Sequence, residues 1–194
     1  MNKRYASIVY LKNPALRALL IGDGIVLTAT AMLTPIYALY VNKIGGDIFD
    51  VGITAAALAI GAGIAAMLGG RFSDSIKNKK KLVAMGYLII GVGFLSLTLV
   101  HDVVGLACVQ LVMGLARPVY ETAFDALYSI HLDKKREAQE WGAWEGISYF
   151  AAAIGALLGS ALVAYFSFTT LFIFMAALAF LSALYVAKLP KSLL

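Results

Sequence analysis

The chain is short of the residues that water-soluble proteins depend on. Of 194 residues only 14% are charged, four are proline, two are histidine and one is cysteine. A soluble domain carries about 25% charged residues, so a water-facing surface of ordinary extent is excluded. Cys108 stands alone inside an apolar run, which excludes a disulfide scaffold. His101 and His131 lie at opposite ends of one apolar segment, so no clustered metal ligands are visible. No nucleophile, cofactor motif or phosphate loop points to an enzyme either. What the chain has in plenty is apolar residues, 61% of the total. They form continuous runs of about 20, the length of a membrane-crossing helix, and not the alternating segments of about ten residues that build a membrane barrel. The expected class is an all-α polytopic membrane protein.

Six spans are expected, at about Ala15 to Val41, Val51 to Gly70, Leu82 to Val100, Val103 to Leu127, Trp141 to Ala164 and Phe168 to Ala187, one six-helix unit over residues 1–194. His101-Asp102 and Tyr165-Phe166-Ser167 are thin boundaries. A fused helix of about 40 residues would overshoot the roughly 30 Å hydrocarbon layer, so each is read as a turn. Fourteen of the 16 basic residues fall at one set of span ends: Lys3, Arg4, Lys12 and Arg17, then Arg71 and Lys77 to Lys81, then Lys134 to Arg136, then Lys188 and Lys191. The positive-inside rule puts both termini in the cytoplasm, as for a multi-pass inner-membrane protein. The net charge of +5 then reflects topology and anionic headgroups, and no nucleic-acid partner is expected. Ala29-Thr30-Ala31 has the form of a signal cleavage site, but Asp23 interrupts the apolar run and the run continues to Val41, so the first span is expected to be retained. Asn13-Pro14-Ala15, a tripeptide that water channels use twice, occurs once and reads as a helix N-cap.

Charges inside the bilayer cost at least about 2.5–3.5 kcal/mol each and normally face a bundle interior or cavity. Asp23 lies in the first span, Arg117, Glu121 and Asp125 in the fourth, and Glu145 in the fifth. Spans three and six have no ionisable side chain and are expected to face lipid. Arg117, Glu121 and Asp125 are four apart and share one helix face. Asp23 and Glu121 lie at similar depths from the basic end. One arginine cannot neutralise four carboxylates, so at least one acid is expected to carry a proton near neutral pH, the chemistry of a proton-coupled carrier. Gly22 and Gly24 beside Asp23 leave room for a substrate or another helix. Trp141 and Trp144 read as interfacial anchors. Small residues recur every four positions at Gly61, Ala65 and Gly69, and at Ala151, Gly155 and Gly159, the pattern of close helix contact.

Between spans two and three the chain reads Gly70-Arg71-Phe72-Ser73-Asp74-Ser75-Ile76-Lys77-Asn78-Lys79-Lys80. This resembles the loop motif of the major facilitator superfamily, with Gly70, Asp74, Lys79 and Lys80 matching and Ser75 standing where that family has a basic residue. Gly114-Leu115-Ala116-Arg117-Pro118 resembles the family's fourth helix, and Gly155-Ala156-Leu157-Leu158-Gly159 its fifth-helix antiporter motif, with Ala156 at the proline position. The resemblance covers the chain, which corresponds to one of the two six-helix halves of such a transporter.

That resemblance implies alternating-access transport of a small solute, lipophilic or cationic, by proton-coupled export. It implies a parallel homodimer whose second copy supplies the other half, with Gly61, Ala65, Gly155 and Gly159 at the contact between copies. Asp23, Arg117, Glu121, Asp125 and Glu145 would bind protons or substrate. Gly70, Asp74, Lys79 and Lys80 would form a gating loop, with Asp74 near residues 138–142 of the second copy. Half of a split heterodimeric transporter, or a non-transporting accessory subunit, remains the alternative.

Overall fold

The computed structural model describes residues 13–75, 78–190 and 193, with backbone alone for residues 68–75. Its helices are α1 (Pro14–Ala31), α2 (Tyr37–Lys43), α3 (Ile48–Ser75), α4 (Lys79–Ser96), α5 (Val103–Ile130), α6 (Glu137–Tyr165) and α7 (Phe168–Lys188). The first span is α1 and α2 together, and among the described residues six spans are long and apolar enough to cross a membrane.

Short polar residues set most of these boundaries, because the first N–H groups of a helix need acceptors. Asn13 accepts from the N–H groups of Ala15 and Leu16, and Pro14 occupies the first position, where its missing donor is no loss. Asn78 accepts from Lys81, Asp102 from Gly105 and Ser167 from Thr170. The thin boundaries at residues 101–102 and 165–167 are therefore true helix breaks, each closed by a cap. Pro35 interrupts the first span, which passes through a 3-10 turn at Thr34–Ile36 before α2 begins. Pro118 does not stop α5. The second span runs past its expected end at Gly70 to Ser75, so the first half of the expected gating loop is helix.

Packing follows an open arc. The second span packs on the fourth, the fourth on the third, the third on the sixth, the sixth on the first and the first on the fifth. Exchanging spans one to three for spans four to six reads the same arc backwards, as a pair of three-helix inverted repeats requires. The arc refines the expected lipid faces, since Met85, Leu88 and Val92 of α4 and Ile173, Leu181 and Leu184 of α7 are exposed while the opposite faces of these helices are buried. In their most apolar 18 residues the first, third and sixth spans are 50%, 50% and 44% buried, against 17% in each of the other three. Spans three and six form the core because a helix without charge is as well placed against protein as against lipid tails. Tyr87, Phe172, Leu171 and Met175 from these spans are fully buried there.

The glycine stripes also require correction. A Cβ on Gly61 would overlap the carbonyl of Leu111 and approach the nitrogen of Leu115 at 3.0 Å, and one on Gly114 would overlap the carbonyl of Leu58. Gly61 and Gly114 therefore let α3 and α5 of one chain touch backbone to backbone. On the other arm of the arc Gly155 faces the Thr28 carbonyl and Ala31 and Gly159 faces Met32, while back on α3 Ala65 is 8% exposed. Gly61, Ala65, Gly155 and Gly159 were expected between two copies. The structure uses the three glycines to join helices within one chain and buries Ala65 there, leaving none of the four as a free surface for a partner.

Candidate functional site

Asp23 is the centre of the most developed polar site. It lies nine residues into α1, about 13 Å from the helix start, the same depth as Glu121 measured back from the end of α5. Gly22 clears the way for α7, where the Ser182 hydroxyl donates to the Gly22 carbonyl and a Cβ on Gly22 would come within 2.8 Å of Val186. Asp23 is 4% exposed. The Tyr87 hydroxyl of α4 donates to its Oδ1 at 2.9 Å, and the indole Nε1–H of Trp144 in α6 donates to its Oδ2 at 2.8 Å. Each carboxylate oxygen thus has one donor, and three helices converge on one side chain.

Trp144 is consequently a ligand of the buried acid, and the anchoring role expected for it is corrected. The aromatic side chains below it belong to the same assembly. Trp141 meets Trp144 edge to face with ring centres 5.9 Å apart, Tyr128 meets Trp141 at 4.9 Å and Phe124 meets Trp144 at 6.3 Å. These rings fill the space between Asp23 and the basic end, and such contacts add stabilisation beyond buried area.

A cavity of about 220 Å³ opens beside Asp23, lined also by Glu121, Asp125, Tyr120 and Trp144. Three of the expected acids therefore share one chamber. The Arg117 Nε–H donates to Glu121 Oε1 at 2.7 Å, with the two side chains 47% and 43% exposed. That pairing is the i,i+4 contact that the spacing predicts. Arg117 itself lines a second cavity of about 340 Å³ nearer the opposite end, with Thr34, Tyr37 and Gln110. Glu121 thus stands between the two chambers with its guanidinium partner in the next. Glu145, expected in the site, is exposed on α6 and lines neither cavity.

The expected gating residues separate. Gly70 and Asp74 fall in the stretch of α3 of which the backbone alone is described, so their role as a gate lies outside the described residues. Lys80 is engaged within the chain, its Nζ donating to the carbonyls of Leu189 at 2.6 Å and Ala187 at 3.3 Å. It closes the end of α7, where free carbonyls and the helix dipole favour a cation. Lys79 is half-buried at the start of α4.

Two polar groups escaped the sequence reading. In the second cavity Gln110 Nε2 donates to the Tyr37 hydroxyl at 2.9 Å, Tyr37 donates to Thr54 at 2.7 Å, and Thr54 donates to the Asp50 carbonyl. An amide inside an apolar run was the available signal. Glu140, 5% exposed, accepts from the Asp133 N–H while its own carbonyl accepts from the Tyr128 hydroxyl. It fastens the connection between α5 and α6, and its place outside the apolar run hid it.

The sequence profile of the Major Facilitator Superfamily matches residues 19–192. Among curated proteins, the multidrug resistance protein MdtG of Erwinia billingiae is 26% identical over 181 residues, covering 90% of this chain and 44% of that protein. The MdtG proteins of Dickeya zeae and Yersinia enterocolitica are 27% and 25% identical, covering 92% and 90% of this chain and 45% and 43% of their own lengths. The chain spans less than half the length of the curated relatives it matches.

Proposed function

Because the chain belongs to the Major Facilitator Superfamily, we propose that it serves as one six-helix half of a secondary active transporter, paired in parallel with a second copy of itself. Family halves are related by an axis along the membrane normal, an operation that a symmetric dimer reproduces with one sequence. The open side of the arc, between its ends α3 and α6, is the side the second copy would close. The charge bias supports both termini on the cytoplasmic face of the inner membrane.

The observation that carries this reading is the chamber holding Asp23, Glu121 and Asp125 with a single guanidinium beside it. Asp23 makes no ion pair among the described residues and takes its two hydrogen bonds from neutral donors. It can hold either a proton or a cationic solute in this chamber, and exclusive occupancy of one acid is the simplest basis for exchanging one against the other. The relatives are named for multidrug resistance, which favours export of a lipophilic or cationic solute. Asp74 would meet the start of α6 in the second copy, where the helix dipole favours a carboxylate, and would part from it when the cytoplasmic side opens.

The test combines mass and transport. The purified chain in detergent is expected to have the mass of two copies, and in proteoliposomes to move a lipophilic cation against a proton gradient. Asp23→Asn is expected to abolish proton-linked transport while keeping the dimer. A monodisperse monomer without transport would favour a split transporter with a different second half. Transport by Asp23→Asn with unchanged pH dependence would remove Asp23 from the mechanism.

A further inference from the structure

Round α1 from the Asp23 chamber, α1 and α6 enclose a groove of about 410 Å³. Ile21 and Ile25, two residues either side of Asp23, point about 200° away from it, and the groove and the chamber have no lining residue in common. We infer that this groove seats an anionic glycerophospholipid from the leaflet at the basic end, with its phosphate on Arg17 and one acyl chain along the groove.

Three observations select that occupant. The groove is apolar except at its ends, where Arg17 and Thr28 lie, and the Thr28 hydroxyl is already spent on the Gly24 carbonyl. A hydrocarbon chain therefore strands no polar group along its length. Arg17 is exposed, one turn into α1, and among the described residues it makes no ion pair. No acidic side chain lines the groove, so the guanidinium presents an uncompensated charge at headgroup level. Finally, the groove follows α1 from Arg17 to Thr28, about 16 Å, which matches one leaflet of a hydrocarbon layer roughly 30 Å thick. Gly24 and Ala151 keep its floor low, and the exposed Ile21 and Ile154 form its rims. An acyl chain tethered below a phosphate has this shape and this charge pattern.

Native mass spectrometry of the purified chain with added phosphatidylglycerol or phosphatidylethanolamine of identical acyl chains tests the assignment. One basic side chain near an anionic lipid surface contributes about a fivefold preference, so one phosphatidylglycerol is expected to be retained about fivefold better than phosphatidylethanolamine. Arg17→Gln, on an exposed side chain, is expected to reduce phosphatidylglycerol to the level of phosphatidylethanolamine, while Ile21→Trp, which fills the groove from its rim, is expected to weaken both. Equal retention of the two lipids by the unmodified chain, or an undiminished preference in Arg17→Gln, would overturn the assignment. Disulfide formation between Ile21→Cys chains of two copies in a bilayer would also overturn it, by placing the second copy in the groove.

Discussion

The convergence of Tyr87 and Trp144 on Asp23 makes a stability prediction that is independent of transport. Asp23→Leu removes both acceptors and leaves the two donors facing apolar atoms. Two ordinary interhelical hydrogen bonds in a membrane protein amount to only about 1 kcal/mol, but a stranded buried donor costs about 1–3 kcal/mol. Tyr87 is 0% exposed and bears the full penalty, whereas Trp144 lines a cavity and bears less. The total is about 2–4 kcal/mol, which for a chain of this size lowers the apparent Tm by about 4–16 °C. The decisive comparison is the triple variant Asp23→Leu, Tyr87→Phe, Trp144→Phe. Removing donors and acceptors together leaves nothing stranded, so most of the lost stability is expected to return. Asp23→Asn, which keeps an acceptor, is expected to fall between. Heat unfolding in detergent at one fixed scan rate measures all of these. A triple variant no more stable than Asp23→Leu alone would refute the view that these donors exist to serve the acid.

Two further outcomes follow from the packing. Gly61→Leu and Gly155→Leu force side chains into helix backbones of the same chain, with overpacking of about 1–3 kcal/mol or more each, so gel filtration is expected to show aggregation and loss of folded protein rather than clean conversion of a dimer to a monomer. Lys80→Met uncaps α7, a loss of about 0.3–1 kcal/mol, and hydrogen exchange is expected to accelerate in the last turn of α7 while Lys79→Met leaves that turn unchanged.

The spans were legible because length and apolarity alone specify a membrane helix, and the caps at Asp102 and Ser167 could be read as breaks for the same local reason. The stripe of Arg117, Glu121 and Asp125 was legible because i,i+4 spacing belongs to a single helix. Contacts between helices were not. Trp144 belongs to Asp23 across 121 positions, and nothing in its surroundings separates a ligand of an acid from an interfacial ring. The glycine stripes announced close contact but not the identity of the other surface, since backbone approach within a chain and between chains leaves the same pattern of small residues. Spans three and six illustrate the same limit, for freedom from charge suits a helix to lipid and to a dry protein core alike.

The order of the arc has a consequence for how the chain is made. The first span leaves the ribosome well before its neighbours, the fifth and sixth. Trp144 follows Asp23 by 121 residues, a wait of about 6–24 s at ordinary synthesis rates of about 5–20 residues per second. Throughout that interval a carboxylate about 13 Å along an apolar spanning helix lacks one of its two donors, and until the third span arrives it lacks both. The first span must therefore be held in a wet or protein-lined environment until the fifth is inserted, and the bundle closes around Asp23 only then.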